Sequence, residues 1–229
     1  MEQLHNGFTL ELCNGAFPLS TDSVALSEFA RLPKNATVLD LGSGCATLGL
    51  FLCAKDPNCA VTGIELDPCA HETALDNANR NGIAHRLNSI CGDISNISAL
   101  IKPGSFSVCI SNPPYFSAGP RSKTVPLARR DDQCSMETLM SSANWSLRYG
   151  GDFFLVHRPE RLAQLCAQAS AHGLEPKRLR LLRHQVGGPI TLVLVQCRKG
   201  GKPGLIWEEE SLYNTDGTPT AYYCKLYRR

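Results

Sequence analysis

The chain has 229 residues, of which 43% are hydrophobic and 19% charged, with a formal net charge of +2. That is enough apolar material for an α/β core, and it excludes a polyelectrolyte or an intrinsically disordered chain. The slight basic excess is compatible with a nucleic-acid partner without requiring one, so local clusters must carry that argument.

Met1 is followed by Glu2, Gln3 and His5, without the basic and apolar segments of a secretory signal. No stretch approaches the roughly 20 apolar residues of a membrane span. A cytoplasmic protein with no membrane contact is expected. Eleven cysteines are scattered singly and form no C-x-x-C pair. They read as reduced thiols used as small hydrophobes, Cys53, Cys109 and Cys197 among them. His71-Glu72 begins like a zinc motif, but position 75 is Leu75, so no metal site is expected.

In residues 7–18, Phe8, Leu10 and Leu12 alternate with Thr9 and Glu11, and Asn14-Gly15 supplies a type I′ turn, which predicts a β-hairpin. Asp22 or Ser23 then caps a helix through Val24, Ala25, Leu26 and Phe29, which Pro33 ends. A regular alternation follows. Strands are predicted at 36–42, 60–67, 87–93, 106–115 and 152–158, with helices at 46–55, 68–82, 135–149 and 159–173. Such alternation predicts a mostly parallel, doubly wound sheet. Residues 174–184 and 190–199 are two strand-like runs in succession, expected to pair antiparallel across a turn with Gly187, Gly188 and Pro189. The residues from 200 onward read as a surface tail with at most a short strand or helix. The simplest organisation is one domain over 1–229: an extension at 1–35, a core at 36–199 and the tail at 200–229.

Chemistry-bearing residues fall at the ends of the predicted strands. Asp40-Leu41-Gly42-Ser43-Gly44 sits where the first strand of the alternation turns into a helix. Glycine there allows unusual backbone angles and close ligand approach, and a helix N-terminus offers free N–H groups. A carboxylate directly ahead of the glycines would repel a pyrophosphate and suits a ligand carrying positive charge. Glu65 ends the second strand and can accept both ribose hydroxyls, and Asp93 ends the third and can accept from an adenine amino group. Three carboxylates at three successive strand ends favour S-adenosylmethionine (SAM) over NAD.

The fourth strand ends in Asn112-Pro113-Pro114-Tyr115. Two prolines stiffen the loop, the Asn112 carbonyl and neighbouring backbone carbonyls supply fixed acceptors, and Tyr115 offers a flat stacking face. Acceptors held out of the conjugated plane favour a pyramidal amine with a localised lone pair, ready to attack a sulfonium methyl.

The order DLGSG, IELD, a strand-end GD and SNPPY resembles the class I Rossmann-like N6-adenine and N5-glutamine methyltransferases. GFTLELCNGAFPLSTDSVALSEFA, LVHRPERL at 155–162 and LVLVQCRKGGKPGL at 192–205 are similar to the bacterial tRNA(Val) adenine-N6 methyltransferases. The resemblance covers nearly the whole chain. It implies a seven-stranded, mostly parallel sheet with an antiparallel strand at one edge, plus the N-terminal hairpin and helix. It implies that Asp40, Gly42, Gly44, Glu65 and Asp93, with their neighbours Ser43, Leu66 and Ile94, contact SAM. Asn112 would serve both SAM and the target, and Pro113, Pro114 and Tyr115 would hold the adenine. Thr21-Asp22 match a polar pair expected beside the methionine end of SAM. The third glycine common in the family's first motif is replaced by Ala46.

Two basic clusters bear on the partner. Arg121, Lys123, Arg129 and Arg130 follow the NPPY loop in a segment that reads as a flap over the base pocket. Lys177, Arg178, Arg180, Arg183 and His184 form a second cluster, joined by Arg198, Lys199 and Lys202. Either face suits RNA phosphates, with the flap favoured. The expected activity is methyl transfer from SAM to an adenine N6 in RNA, with tRNA the favoured RNA and a monomer the favoured state. A protein glutamine N5-methyltransferase, an rRNA guanine-N2 methyltransferase and a SAM- or RNA-binding module without catalysis stay open.

Overall fold

The computed structural model describes residues 2–4, 7–16, 18–113 and 135–227. Pro114, Tyr115, Arg121, Lys123, Arg129 and Arg130 lie outside the described residues.

The chain opens with β1 (Glu2–Gln3) and β2 (Thr9–Leu10), which pair antiparallel. This hairpin lies one turn earlier than the sequence pattern predicts. It closes through Gly7, whose N–H donates to the Leu4 carbonyl at 3.0 Å. Asn14-Gly15 does form a turn, but it joins no two strands. Helix α1 (Thr21–Phe29) follows, with Ser20 rather than Asp22 or Ser23 at its N-cap. At its far end the Lys55 ammonium donates to three carbonyls, those of Ser27, Glu28 and Ala30, at 2.8, 2.9 and 2.6 Å. Those carbonyls have no helical partner, and a cation there also complements the helix dipole.

The alternating core is β3 (Thr37–Leu41), α2 (Thr47–Lys55), β4 (Ala60–Glu65), α3 (Pro68–Arg80), β5 (Leu87–Cys91), α4 (Ile97–Leu100) and β6 (Phe106–Ser111). Then come α5 (Met136–Ser146), β7 (Leu147–His157), α6 (Leu162–Ala171), β8 (Leu174–Gln185), β9 (Ile190–Lys199), β10 (Ile206–Tyr213) and α7 (Ala221–Tyr227). The short α4 was not foreseen. Strand β7 begins at Leu147, inside the stretch read as helix, so Gly150-Gly151 lie within a strand rather than closing a helix.

Among the described residues, eight strands form the main sheet, in the order β10-β8-β9-β7-β6-β3-β4-β5. The α/β class and mostly parallel sheet are as expected, but two details differ. The sheet has eight strands rather than seven, because β10 adds parallel to β8. The antiparallel strand β9 is not at the edge; it lies between β7 and β8 and runs against both. The turn after β8 is too short for a crossover, so β9 must reverse direction. Beyond β9 the chain passes beneath β8 and rises again as β10.

Alternate residues of the inner strands face opposite layers, as parallel strands buried on both faces require. Val38, Val108, Phe154 and Leu194 pack with α1, α2, α3 and α7. Leu39, Cys109, Phe153 and Val195 pack with α4, α5 and α6. Cys53, Cys109 and Cys197 are free thiols buried in these layers. Among the described residues no helix is long and apolar enough to cross a membrane, and no grouping suits a metal ion.

Candidate active site

Strand β3 lies between β4 and β6, and the three meet where the strand order reverses. Ligands in open α/β sheets bind at that point, outside the carboxyl ends of the strands. Here a cavity of about 550 Å³ opens. Its lining includes Gly42, Ser43, Gly44, Glu65, Leu66, Asp93 and Ile94, together with Asn112 and Pro113 of the second motif. Stretches separated by 18 to 70 residues in sequence thus share one cavity.

The glycine turn is tied to β4. The N–H groups of Gly42 and Ser43 both donate to the Ile64 carbonyl, at 3.0 and 3.1 Å. Gly42 and Gly44 have φ of +74° and +54°, and nothing stands within 4 Å of where a side chain would begin. Ala46, at the place of the family's third glycine, also has positive φ, +66°. The left-handed backbone is therefore kept without the residue that adopts it freely, a strain of about 1–2 kcal/mol.

Glu65 holds this turn in place. One carboxylate oxygen accepts the Gly44 N–H at 2.7 Å and the other accepts the Asp67 N–H at 2.9 Å. Each oxygen keeps a further lone pair for a ligand hydroxyl. Asp93 caps the turn after β5, accepting the Ser95 N–H at 2.8 Å. Asp40 does not line the cavity. It is 1% exposed, and neither carboxylate oxygen has a hydrogen-bond partner. Burial, with a smaller contribution from Glu65, pushes its pKa up to about 8. The Ser43 hydroxyl is likewise buried without a partner.

On β6, the Ser111 hydroxyl donates to the Leu41 carbonyl at 2.7 Å, locking the two strand ends together. Asn112 donates from Nδ2 to the Ser23 hydroxyl of α1 at 3.0 Å. That contact turns the amide so that its carbonyl oxygen is the free end. Sequence reasoning weighed Ser23 only as a helix cap; its distance of 89 residues from Asn112 hides the pairing. Asp22 lines the cavity. Burial raises its carboxyl pKa and Arg158 opposes the shift. Thr21 does not line it; its hydroxyl is 3.0 Å from the Tyr227 hydroxyl.

The remaining wall was not foreseen. Leu12, Cys13, Gly15, Ala16, Pro18 and Ser20 of the N-terminal segment line the cavity. Asn77 of α3 and Asn81, the cap residue at its C-terminal end, hold that segment. Asn81 Oδ1 accepts the Thr9 N–H at 2.8 Å and its Nδ2 donates to the Thr9 carbonyl at 2.8 Å. Asn77 does the same for Glu11, at 2.9 Å each way, and also donates to the Cys45 carbonyl at 2.9 Å. The two amides mimic the ladder of a neighbouring strand.

A family model described as the methyltransferase small domain matches residues 21–166. The chain belongs to this methyltransferase family. A tRNA1(Val) (adenine(37)-N6)-methyltransferase of Porphyromonas gingivalis is 31% identical over 188 residues, covering 77% of this chain and 72% of that one. A relative of the same description from Photobacterium profundum is 26% identical and covers 92% of this chain and 89% of its own. Among solved structures, a predicted O-methyltransferase from Agrobacterium tumefaciens superposes with a TM-score of 0.76 at 19% identity. That match covers 91% of this chain and 96% of the other, and it supports the fold alone.

Proposed function

We propose that this methyltransferase transfers the methyl group of SAM to the exocyclic N6 of an adenine in tRNA, at position 37 as its relatives' names specify. The observation that carries the reading is the shared cavity. Asn112 and Pro113 line the same space as the glycine turn, Glu65 and Asp93.

The residues fit the cofactor. SAM, when bound, supplies a methyl group on a positively charged sulfur. The unpartnered Asp40 carboxyl is buried behind the glycine turn, and a positively charged ligand in the cavity would favour its ionised form. Glu65 keeps lone pairs for ribose hydroxyls, and Asp93 for an adenine amino group. Asp22 on the opposite wall suits an ammonium.

Asn112 would act on the target. With Nδ2 fixed by Ser23, its carbonyl oxygen accepts one N–H of the incoming amine. The backbone carbonyl beside Pro113 accepts the second. Two fixed acceptors favour a pyramidal nitrogen and stabilise the positive charge that develops as it attacks. The proton leaves after the methyl has arrived, so no strong base is needed beforehand. A monomer acting in the cytoplasm, with the whole chain as one catalytic domain, completes the proposal.

Incubation with labelled SAM and separate tRNA, rRNA and protein fractions tests it, followed by nucleoside and amino-acid analysis. Label is expected in N6-methyladenosine from tRNA. Asn112→Ala should lose about 100-fold or more in turnover while keeping affinity for S-adenosylhomocysteine. Label in N5-methylglutamine or N2-methylguanosine would overturn the assignment.

A further inference from the structure

The carboxyl ends of the strands carry opposite charge on the two halves of the sheet. On the β3–β4–β5 half stand Asp40, Glu65, Asp67 and Asp93, and residues 40–48, 64–72 and 91–98 contain no lysine or arginine. On the β7–β9–β8 half, residues 155–161 and 182–191 supply Arg158, Arg161, Arg183 and His184, against the single carboxylate of Glu160. The reaction already described uses the acidic half. Nothing in it uses the basic half.

The basic half adjoins the target site. Strand β7 is the immediate neighbour of β6, and Ser111 pairs with Leu155. Asn112 lies one residue past that pair and Arg158 three residues past it, at the same rim, on strands about 4.8 Å apart. Arg158 also acts on the carboxyl of Asp22 on the cavity wall. It is exposed, and its guanidinium reaches the Thr191 carbonyl at 3.4 Å, which steadies it at the start of β9. Pro159 opens a 3-10 turn that carries Arg161, whose guanidinium donates to Gln164 at 2.8 Å. Two strand spacings further on, about 10 Å, the exposed His184 and Arg183 lie near the end of β8; Arg183 donates to the Gly188 carbonyl at 2.5 Å and shares its charge with the exposed Glu209 at 3.5 Å.

The second basic cluster of the sequence is dispersed by the fold. Arg178 and Arg180 are buried against Glu28 and Glu208, Arg198 pairs with Asp152, and Lys199 is bound to the Asn144 and Leu147 carbonyls. Lys177 and Lys202 lie together near the amino ends of the strands, away from the cavity. Arg183 and His184 are the members of that cluster left at the rim.

We propose that Arg158 and Arg161, continued by Arg183 and His184, form a track for the phosphates of the RNA strand that flanks the target nucleotide. The cationic row faces a polyanion while the acidic row keeps that polyanion off the cofactor half. The proposal rests on the RNA reading above, and the test separates the two.

Binding of tRNA to the full-length protein is measured across a salt series, alongside methylation kinetics and chemical denaturation. For Arg158→Gln with Arg161→Gln, the slope of log affinity against log salt should fall by about 1.4, at about 0.7 per phosphate contact on a single strand. The KM for tRNA should rise about tenfold. Turnover at saturating tRNA should stay at the wild-type value, and an unchanged denaturation midpoint reports that the variant is folded. Lys177→Gln with Lys202→Gln should leave the slope unchanged. If wild type methylates tRNA and the arginine variant keeps its slope and KM, the track is overturned and the tRNA reading stands. An equal fall in slope for the lysine variant would overturn it as well. If wild type methylates no RNA, or modifies a protein instead, both fall together.

Discussion

Asp40 combines full burial with a carboxyl that finds no donor. Its pKa of about 8 in the fold, against 3.8 for an ordinary aspartate, makes it a pH-dependent weakness. Below pH 3.8 both native and unfolded chains hold the proton, and it contributes nothing. Between 3.8 and about 8 the native state keeps a proton that the unfolded state has released, so stability falls as pH rises. Burial shifts His157 and Lys55 downward instead, so their contributions lie below pH 6.5 and above about 8. Chemical denaturation of the ligand-free protein from pH 6.5 to 8 should therefore show a decline that Asp40→Asn abolishes. An equal decline in the variant would remove Asp40 as its source. The acidic residue ahead of the glycines is legible in the sequence. That it sits behind the turn rather than in the cavity is not, because strand orientation and burial depend on β4 and β6 closing around it. Ser23 and Thr21 make the same point. They are neighbours in sequence, yet one hydroxyl meets Asn112 and the other meets Tyr227.

At the scale of elements, the N-terminal segment is a wall of the cavity held by helix α3. Asn77 is fully buried, and its three hydrogen bonds join the Glu11 backbone to the Cys45 carbonyl of the glycine turn. Asn77→Ala would leave buried backbone groups without partners, at a cost of about 1–3 kcal/mol. It should also weaken S-adenosylhomocysteine binding, since the wall and the turn lose their common anchor. A titration with unchanged affinity would show that the segment does not enclose the cofactor. The sequence locates α3 well, from Pro68 at its start to the glycine at its end. It misplaces the hairpin because alternation in residues 7–12 predicts a strand partner. The strand partner is β1, before it rather than after it, and a pair of asparagine amides some 70 residues away takes the other edge.

At the scale of the whole molecule, the last 30 residues complete the sheet rather than trailing from it. Glu208 of β10 meets Arg180 of β8 at 2.7 Å and Arg178 at 3.7 Å, and Arg180 also pairs with Glu28 of α1. The Arg178 and Arg180 side chains are only 3% and 9% exposed, and the Arg178 guanidinium stacks over Phe29 at 4.0 Å. Glu208→Ala should cost about 3 kcal/mol by leaving buried charge uncompensated. Glu209→Ala, whose carboxylate is 62% exposed, should cost close to nothing. Equal denaturation midpoints for the two variants would show that the network does not bind β10 to the fold.

Local patterns in the chain determined the α/β alternation, the left-handed glycine turn and the three strand-end carboxylates, together with the proline-braced asparagine. Each is a property of a few adjacent residues: periodicity, turn geometry or a fixed dihedral. The tertiary structure alone decided that β9 lies inside the sheet and β10 beside β8, and that α3 carries the N-terminal wall. It also decided which arginines are buried in ion pairs and which stand at the rim beside Asn112. Those outcomes depend on which distant segments pair, and pairing is selected by the joint burial of surfaces that no single stretch of sequence contains.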